Sequence, residues 1–294
     1  MTGNWGPGGR RAAVSITFDH LGEAADLEYG RWPTRRPVGQ HHSVTHDLPR
    51  ILEVLDGTRA AFFIESWNVA VYPDAIASVA DAGHEVGAHG MRHEVWAALT
   101  PHQELDHLRR CRDEFERYGV QLRGLRPPGG IATPASAAIV NELELEYISP
   151  IDVPWGVLGN GVAVVTCGLG TTDVLYYGPK FTSYRRYKPG PETLAPADLI
   201  DGMLAAVDDA VRAGGYVSLT WHPFYQHVDG RTDPERLEAI AEVARSVRGN
   251  EHVWCATPSE VANWMRQRPD EYPGPESLDP PSYWNPSFYV DIKR

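Results

Sequence analysis

The sequence predicts an α/β fold: a single distorted (β/α) barrel with seven or eight parallel strands. Three observations predict it. Apolar strand-length runs alternate with amphipathic helix-length segments along nearly the whole chain, the pattern of a parallel sheet with crossover helices. Acids, imidazoles and a guanidinium recur just past the predicted strands, where a barrel gathers its chemistry at one mouth. Finally, 294 residues with no repeat and no long linker suit one barrel. A doubly wound open sheet is the second choice, and no G-x-G-x-x-G follows the first strand to favour it.

Taken in order, residues 12–18 read as a buried strand that exits at Asp19-His20. Residues 21–40 are polar with Gly, Pro and Trp, hence a loop over the mouth, and a helix follows over about 47–55 with Pro49 in its first turn. Residues 59–64 are the second strand and 68–82 a helix. The third strand runs into His89-Gly90-Met91-Arg92-His93, read as a turn entering a helix, on which positions i and i+4 share one face. Thr100-Pro101 caps a helix that stops at Gly119, and residues 122–126 are a strand ending in Pro127-Pro128-Gly129-Gly130. A helix over about 134–143 and short strands at 147–149 and 162–166 lead into a second long loop, 167–193, rich in Tyr and Gly. A helix over about 195–213 ends at Gly214-Gly215. Residues 216–221 are a strand exiting at His222-Pro223, and a helix to about 247, a strand at 252–256 and a helix at 258–266 complete the barrel, 1–268. Residues 269–294 carry Pro, Tyr and Trp without a period and form a C-terminal tail, expected to lie on the barrel or on a partner.

Composition narrows the partners. A net charge of −12 disfavours nucleic acid and anionic membranes, and 42% hydrophobic residues suffice for a core without disulfides. Cys111, Cys167 and Cys255 are odd in number and form no CxxC, so buried free thiols are expected. With no apolar leader segment in residues 1–18 and no span-length apolar run, the expected setting is cytoplasmic, with a homo-oligomer left open.

The strand exits hold Asp19-His20, His89 and His93, Arg126, Asp152, and Trp221-His222-Pro223. Imidazoles can hold a metal ion with open positions, a carboxylate can take a proton from water, and a further imidazole can protonate a leaving group. That set points to hydrolysis at a metal. The other histidines have blander readings: His41, His42 and His46 as solvated loop residues, with a second metal site as the alternative, His84 as packing, and His107 as surface.

Four motifs carry a resemblance. Thr17-Phe18-Asp19-His20, His89-Gly90-Met91-Arg92-His93, Arg126-Pro127-Pro128-Gly129 and Leu219-Thr220-Trp221-His222-Pro223 resemble, in order, those of the polysaccharide deacetylase superfamily, carbohydrate esterase family 4, over about residues 12–265. Gly83-His84-Glu85-Val86, Glu94 and the ending at Val253-Trp254-Cys255-Ala256-Thr257 are similar to the intracellular branch that holds peptidoglycan deacetylase-like proteins, cyclic imide hydrolases and metal-independent allantoinases. The resemblance implies His89 and His93 as metal ligands, Asp19 as catalytic base, Arg126 as its orienting partner and His222 as general acid. It places Pro128, Asp152, Trp155 and Trp221 about the substrate pocket, with Asp152 and Trp155 in the region that tunes His222. One position departs from the family: the second Asp of the first motif is His20. An imidazole there gives a three-histidine site for one divalent ion, with zinc the natural occupant. The alternatives are Asp19 or Glu23 as third ligand, or no metal.

The function expected is therefore that of a metal-dependent hydrolase of C–N amide bonds outside peptides, an N-deacetylase or deacylase of a small or carbohydrate-like amide. Ring opening of a cyclic imide or ureide is the alternative chemistry, and a binding protein weakened in catalysis by the His20 change is the non-enzymatic one. The two long loops are expected to narrow the mouth, which favours a small soluble substrate over a polymer.

Overall fold

Strand β1 (Ala12–Asp19) is buried at every position and has neighbours on both sides. Its first half pairs with β11 (Val253–Cys255), its second half with β2 (Ala61–Ile64), and its other edge with β8 (Tyr216–Trp221). From β2 the sheet continues through β3 (Glu85–Ala88), β4 (Gly124–Leu125), β5 (Tyr147–Ile148) and β7 (Ala163–Val164), all parallel. Only β6 (Gly156–Val157), on the far edge of β7, runs antiparallel within this nine-stranded sheet. The computed structural model describes residues 4–179, 181, 188 and 190–284. Among these, a single bridge from Thr172 to Thr220 in β8 brings the chain after β7 back beside β8. The result is a curled, mostly parallel, distorted barrel.

Period-two alternation sorts β1 into two faces. Val14, Ile16 and Phe18 pack outward in the main apolar layer under the helices. Ala13 faces the interior cluster, and Ser15, Thr17 and Asp19 share its phase, which is why a strand this buried tolerates two hydroxyls and ends on a carboxylate. The covering helices are α1 (Ala24–Glu28), α2 (Leu48–Leu55), α3 (Ser66–Val71), α4 (Pro73–Asp81), α5 (Pro101–Arg117), α6 (Ser136–Glu142), α7 (Val174–Tyr177), α8 (Pro196–Ala213), α9 (Pro234–Gly249) and α10 (Pro258–Arg266). The expected helix over 68–82 is two helices broken at Tyr72, because Pro73 lacks the N–H that would continue the first. α5 opens with a capping box from Thr100 and Gln103, and α8 ends on Gly214 in the left-handed region, as their sequences require.

The strands close tightly where glycine permits. A Cβ on Gly124 would lie 2.2 Å from the Tyr147 ring, so this side-chain-free position lets β4 and β5 approach. Under the N-terminal ends of β1 and β8, Trp5 is fully buried against Trp155 (ring centroids 5.2 Å) and Tyr272 (4.7 Å), and its indole N–H donates to the Gly214 carbonyl at 3.1 Å. Residues 269–284 lie along the barrel: Tyr272 and Leu278 are buried, Gly274 donates to Val157, and the Tyr283 hydroxyl donates to Asp152. Residues 285–294 of the predicted tail, with Phe288 and Tyr289, lie outside the described residues. Cys111, Cys167 and Cys255 are free thiols, and no described helix is long and apolar enough to cross a membrane. Truncating Trp5 to Ala should cost about 3–5 kcal/mol, the usual range for a fully buried Trp, read as a lower urea midpoint with an unchanged slope.

Candidate active site

Asp19 leaves the interior face of β1 and meets a guanidinium. Arg126, only 1% exposed, donates from Nη1 to Asp19 Oδ1 at 2.6 Å and to Thr17 at 2.9 Å, and from Nε to Ser149 at 3.1 Å. Its flat face lies 4.1 Å from the Phe63 ring centroid. A charge this deep is tolerable because its hydrogens are met and its counter-ion is fixed beside it.

After Asp19 the chain turns sharply. His20 adopts φ 76°, in the left-handed region that costs a non-glycine residue on the order of 1–3 kcal/mol. This aims its ring at two others: it stacks on His93 at 4.2 Å and lies 5.8 Å from His89. His89 and His93 do not enter a helix as expected. They flank a tight turn in which Gly90 and His93 both have positive φ, and Glu94 accepts from the Met91 and Arg92 amides to hold it. The two rings nonetheless meet, centroids 4.9 Å apart. His89 donates Nδ1–H to the Arg126 carbonyl at 2.9 Å. Nδ1 of His93 lies 2.6 Å from the Tyr29 hydroxyl, which donates in turn to the His93 carbonyl. Both rings therefore present Nε2 as the lone-pair nitrogen, with Nδ1 held by a partner as in metal-ligating histidines.

Glu65, just past β2, is the unexpected member. It is fully buried, with Oε1 2.5 Å from His20 Nδ1. Its burial raises its pKa to about 7, whereas burial lowers His20 and His93 to about 3, which keeps both imidazoles neutral. The ligand atoms of His20, Glu65 and His93 all lie within 4.8 Å of one another, so these three form a candidate metal triad, with His89 beside them. Glu23, weighed as a third ligand, is instead taken up by the Gly39 and Gln40 amides and the Tyr72 hydroxyl.

Across the mouth, His222 is held by a residue that sequence reasoning missed. Asp173, fully buried, accepts from His222 Nδ1 at 2.7 Å and from the His222 amide at 2.8 Å. Burial alone would lower the imidazole pKa, but the Asp173 carboxylate outweighs it and the pKa stands above 6.5. Asp152 does not perform this tuning: it is exposed, accepts from the Leu169 amide and the Tyr283 hydroxyl, and has φ 49°. Trp155 packs under the barrel on Trp5, and Trp221 is a core residue stacked on Phe18, so neither lines the pocket. Pro128 is buried behind Gly90, and Gly129 and Gly130 line the cavity in its place.

Asp19, His20, His89, His93, Arg126 and His222 all open on one cavity of about 250 Å³. Both long loops contribute to its walls, Tyr29 and Arg31 from the first, Leu169, Val174 and Phe181 from the second, with Phe224 and Tyr225 opposite. A carboxylate and a basic imidazole facing a cluster of neutral imidazoles at the C-terminal ends of parallel strands is an arrangement that can support hydrolysis. The polysaccharide deacetylase family model matches residues 8–148. A peptidoglycan deacetylase of Helicobacter pylori is 32% identical over 103 residues, 34% of this chain and 34% of that protein, so the match spans about a third of the relative's length. A crystal structure from Mycobacterium smegmatis with the provisional name polysaccharide deacetylase superposes with TM-score 0.77 at 25% identity, covering 96% of this chain and 98% of that one. The Puue allantoinase shares the fold, with TM-score 0.70 at 18% identity over 90% of this chain and 94% of its own. Over residues 8–148 the chain is similar to the polysaccharide deacetylase family, carbohydrate esterase family 4, and it has that family's distorted-barrel fold.

Asp173→Asn should lower the His222 pKa, because it removes the charge that raises it. An imidazole NMR titration should place His222 above 6.5 in the wild type and at a lower pH in the variant. An unmoved titration would assign the raised pKa to another group.

Proposed function

We propose that this chain is a metal-dependent hydrolase of amide C–N bonds in small molecules, removing an acyl group from an amine. The observation that supports it best is a carboxylate and an imidazole, each gripped by its own buried charged partner, facing one cavity. Arg126 donates to Asp19 at 2.6 Å and fixes its direction, and Asp173 at 2.7 Å from His222 raises that imidazole's pKa. A binding site needs neither; a base and an acid on opposite sides of a reacting carbonyl need both.

The donor set fits a divalent ion. Glu65 Oε1 is buried with the His20 imidazole, 2.5 Å away, as its one close polar neighbour and no well-aligned hydrogen bond, and a cation is what a carboxylate oxygen set among neutral imidazoles would accept. His20, Glu65 and His93, with His89 adjacent, would hold it, and two or more imidazoles with one carboxylate suit zinc. When bound, such an ion polarises a carbonyl and acidifies water. The chain's own residues do the rest. Asp19 takes the proton of the attacking water, and Arg126 fixes the carboxylate's direction. His222, with Nδ1–H on Asp173, directs Nε2 into the cavity and protonates the departing nitrogen. Leu169, Val174, Phe224 and Tyr225 exclude water around that proton transfer. The cavity's size and apolar walls favour a small acyl amide over a polymer strand, and a cyclic imide would meet the same groups.

Asp19→Asn should retain bound metal and lose on the order of 10²–10⁴-fold in kcat/KM. His222→Ala should slow amides far more than activated esters, whose leaving groups need little protonation; equal slowing of both would remove His222 from the acid role. His93→Ala and Glu65→Gln should each lower the metal content by one ion per chain relative to wild type, by elemental analysis. Full activity in chelator-treated protein against a panel of acyl amines and cyclic imides would overturn the metal-dependent reading.

A further inference from the structure

A second histidine cluster, sharing no residue with the first, is assembled from segments far apart in sequence. His42 precedes a π-turn (Ser43–Asp47) that feeds α2. His227 opens β9 (His227–Val228), which pairs with β10 (Arg231–Thr232) in the hairpin after the His222 strand. Asp47, fully buried, lies between them. Its Oδ2 is 2.8 Å from His42 Nδ1, its Oδ1 is 3.2 Å from His227 Nδ1, and Thr232 donates to Oδ1 at 2.7 Å. The two imidazoles stack at 4.2 Å with planes 26° apart, so both Nδ1 atoms reach the same carboxylate. His41 extends the stack on the far side of His42 at 4.5 Å, and His46 meets His227 edge-on at 6.0 Å.

We propose that His42, Asp47 and His227 form a second divalent-metal site of the zinc class, completed by water. The three ligand atoms lie within 4.8 Å of one another. Metal–ligand bonds of about 2.0–2.2 Å set neighbouring ligand atoms roughly 3 Å apart, which is the spacing of the two nitrogen–oxygen pairs here. The buried carboxylate's ion-pair partners are both imidazoles, so its compensating charge comes either from protonated rings or from an ion. Stacked rings disfavour two adjacent imidazolium charges, and a single divalent ion supplies the charge to both nitrogens and the carboxylate at once. The His42 side chain is 26% exposed and that of His227 15%, which leaves the site an entry route and room for water. The ion would cross-link the start of α2 to the hairpin that follows His222. It is a structural clip on the general acid's loop, not a second catalytic centre.

Zn²⁺ titration of chelator-stripped full-length protein tests this. The His93→Ala chain removes a donor of the catalytic cluster and should still take up one equivalent of Zn²⁺ by calorimetry. Adding His227→Ala or Asp47→Asn should weaken that binding by at least the roughly 10–100-fold that even an outer partner of a ligand contributes. In the unaltered protein, Zn²⁺ should slow carbethoxylation of His42 and His227 by diethyl pyrocarbonate, mapped by mass spectrometry, which decides the matter should a variant not fold. A His93→Ala chain that takes no Zn²⁺, or His42 and His227 modified equally fast with and without Zn²⁺, would overturn the proposal. Because the catalytic cluster is already broken in that background, the outcome is independent of whether the metal-dependent reading of the active site holds.

Discussion

A guanidinium inside the barrel governs most of what surrounds it. Arg126 reaches hydroxyls of β1, β8 and the residue after β5, as well as the Asp19 carboxylate. An apolar barrel interior could not hold it, and the hydroxyls of Thr17, Ser149, Ser218 and Thr220 gather around it as acceptors. The ion pair is thus part of how the strands close and also what fixes the direction of Asp19. Breaking one partner of such a pair leaves the other charged, buried and alone, at a cost of about 3–5 kcal/mol, so fold and chemistry are linked at this point.

From that centre the site divides its ionisable groups by environment. Asp19 faces a permanent cation. His222 faces a buried anion and stays basic, with its pKa above 6.5. His20 and His93 are driven to about 3 by burial and remain neutral, the state in which an imidazole can donate a lone pair. Glu65, raised to about 7 by the same burial, is the group whose charge most needs a cation nearby. The left-handed backbone at His20 and His93 is consistent with this division: strain is tolerated where two rings must be brought face to face.

Much of this was legible in the chain. The strand–helix alternation gave the curled parallel sheet, and the rule that polar residues at strand exits converge located Asp19, His20, His89, His93, Arg126 and His222 on one cavity. The same rule flags Glu65, which follows the run Phe62-Phe63-Ile64 directly, so its place at the mouth was also legible. Asp173 carries no such signal. It lies in a Tyr/Gly-rich loop 49 residues from His222 and is placed by contacts to β8: a bridge from Thr172 to Thr220, its own amide bond to Thr220 and the Thr171 hydroxyl on the Ser218 carbonyl. The resemblance implied Asp152 and Trp155 for the region that tunes His222, and a resemblance of motifs does not report which way a loop folds back. Trp221 follows from alternation: it shares the outward phase of its strand and stacks on Phe18, while Ser218 and Thr220 take the inward one.

The loop after β8 is where the two histidine clusters bear on one another. It carries His222 at its start and His227 five positions on, and each is gripped by a buried carboxylate from elsewhere, Asp173 and Asp47. Gln226 ties the two ends together, donating to the His222 carbonyl at 3.1 Å and to Asp173 at 3.4 Å. In the proposed mechanism His222 must be held within a fraction of an ångström of the leaving group, but it sits on a connection, the part of a barrel with the least intrinsic rigidity. Anchoring that connection at both ends to carboxylates that cannot move, because they are buried and multiply bonded, supplies the missing stiffness without a longer strand. On that reading the Asp47 cluster would help position His222 without touching the substrate.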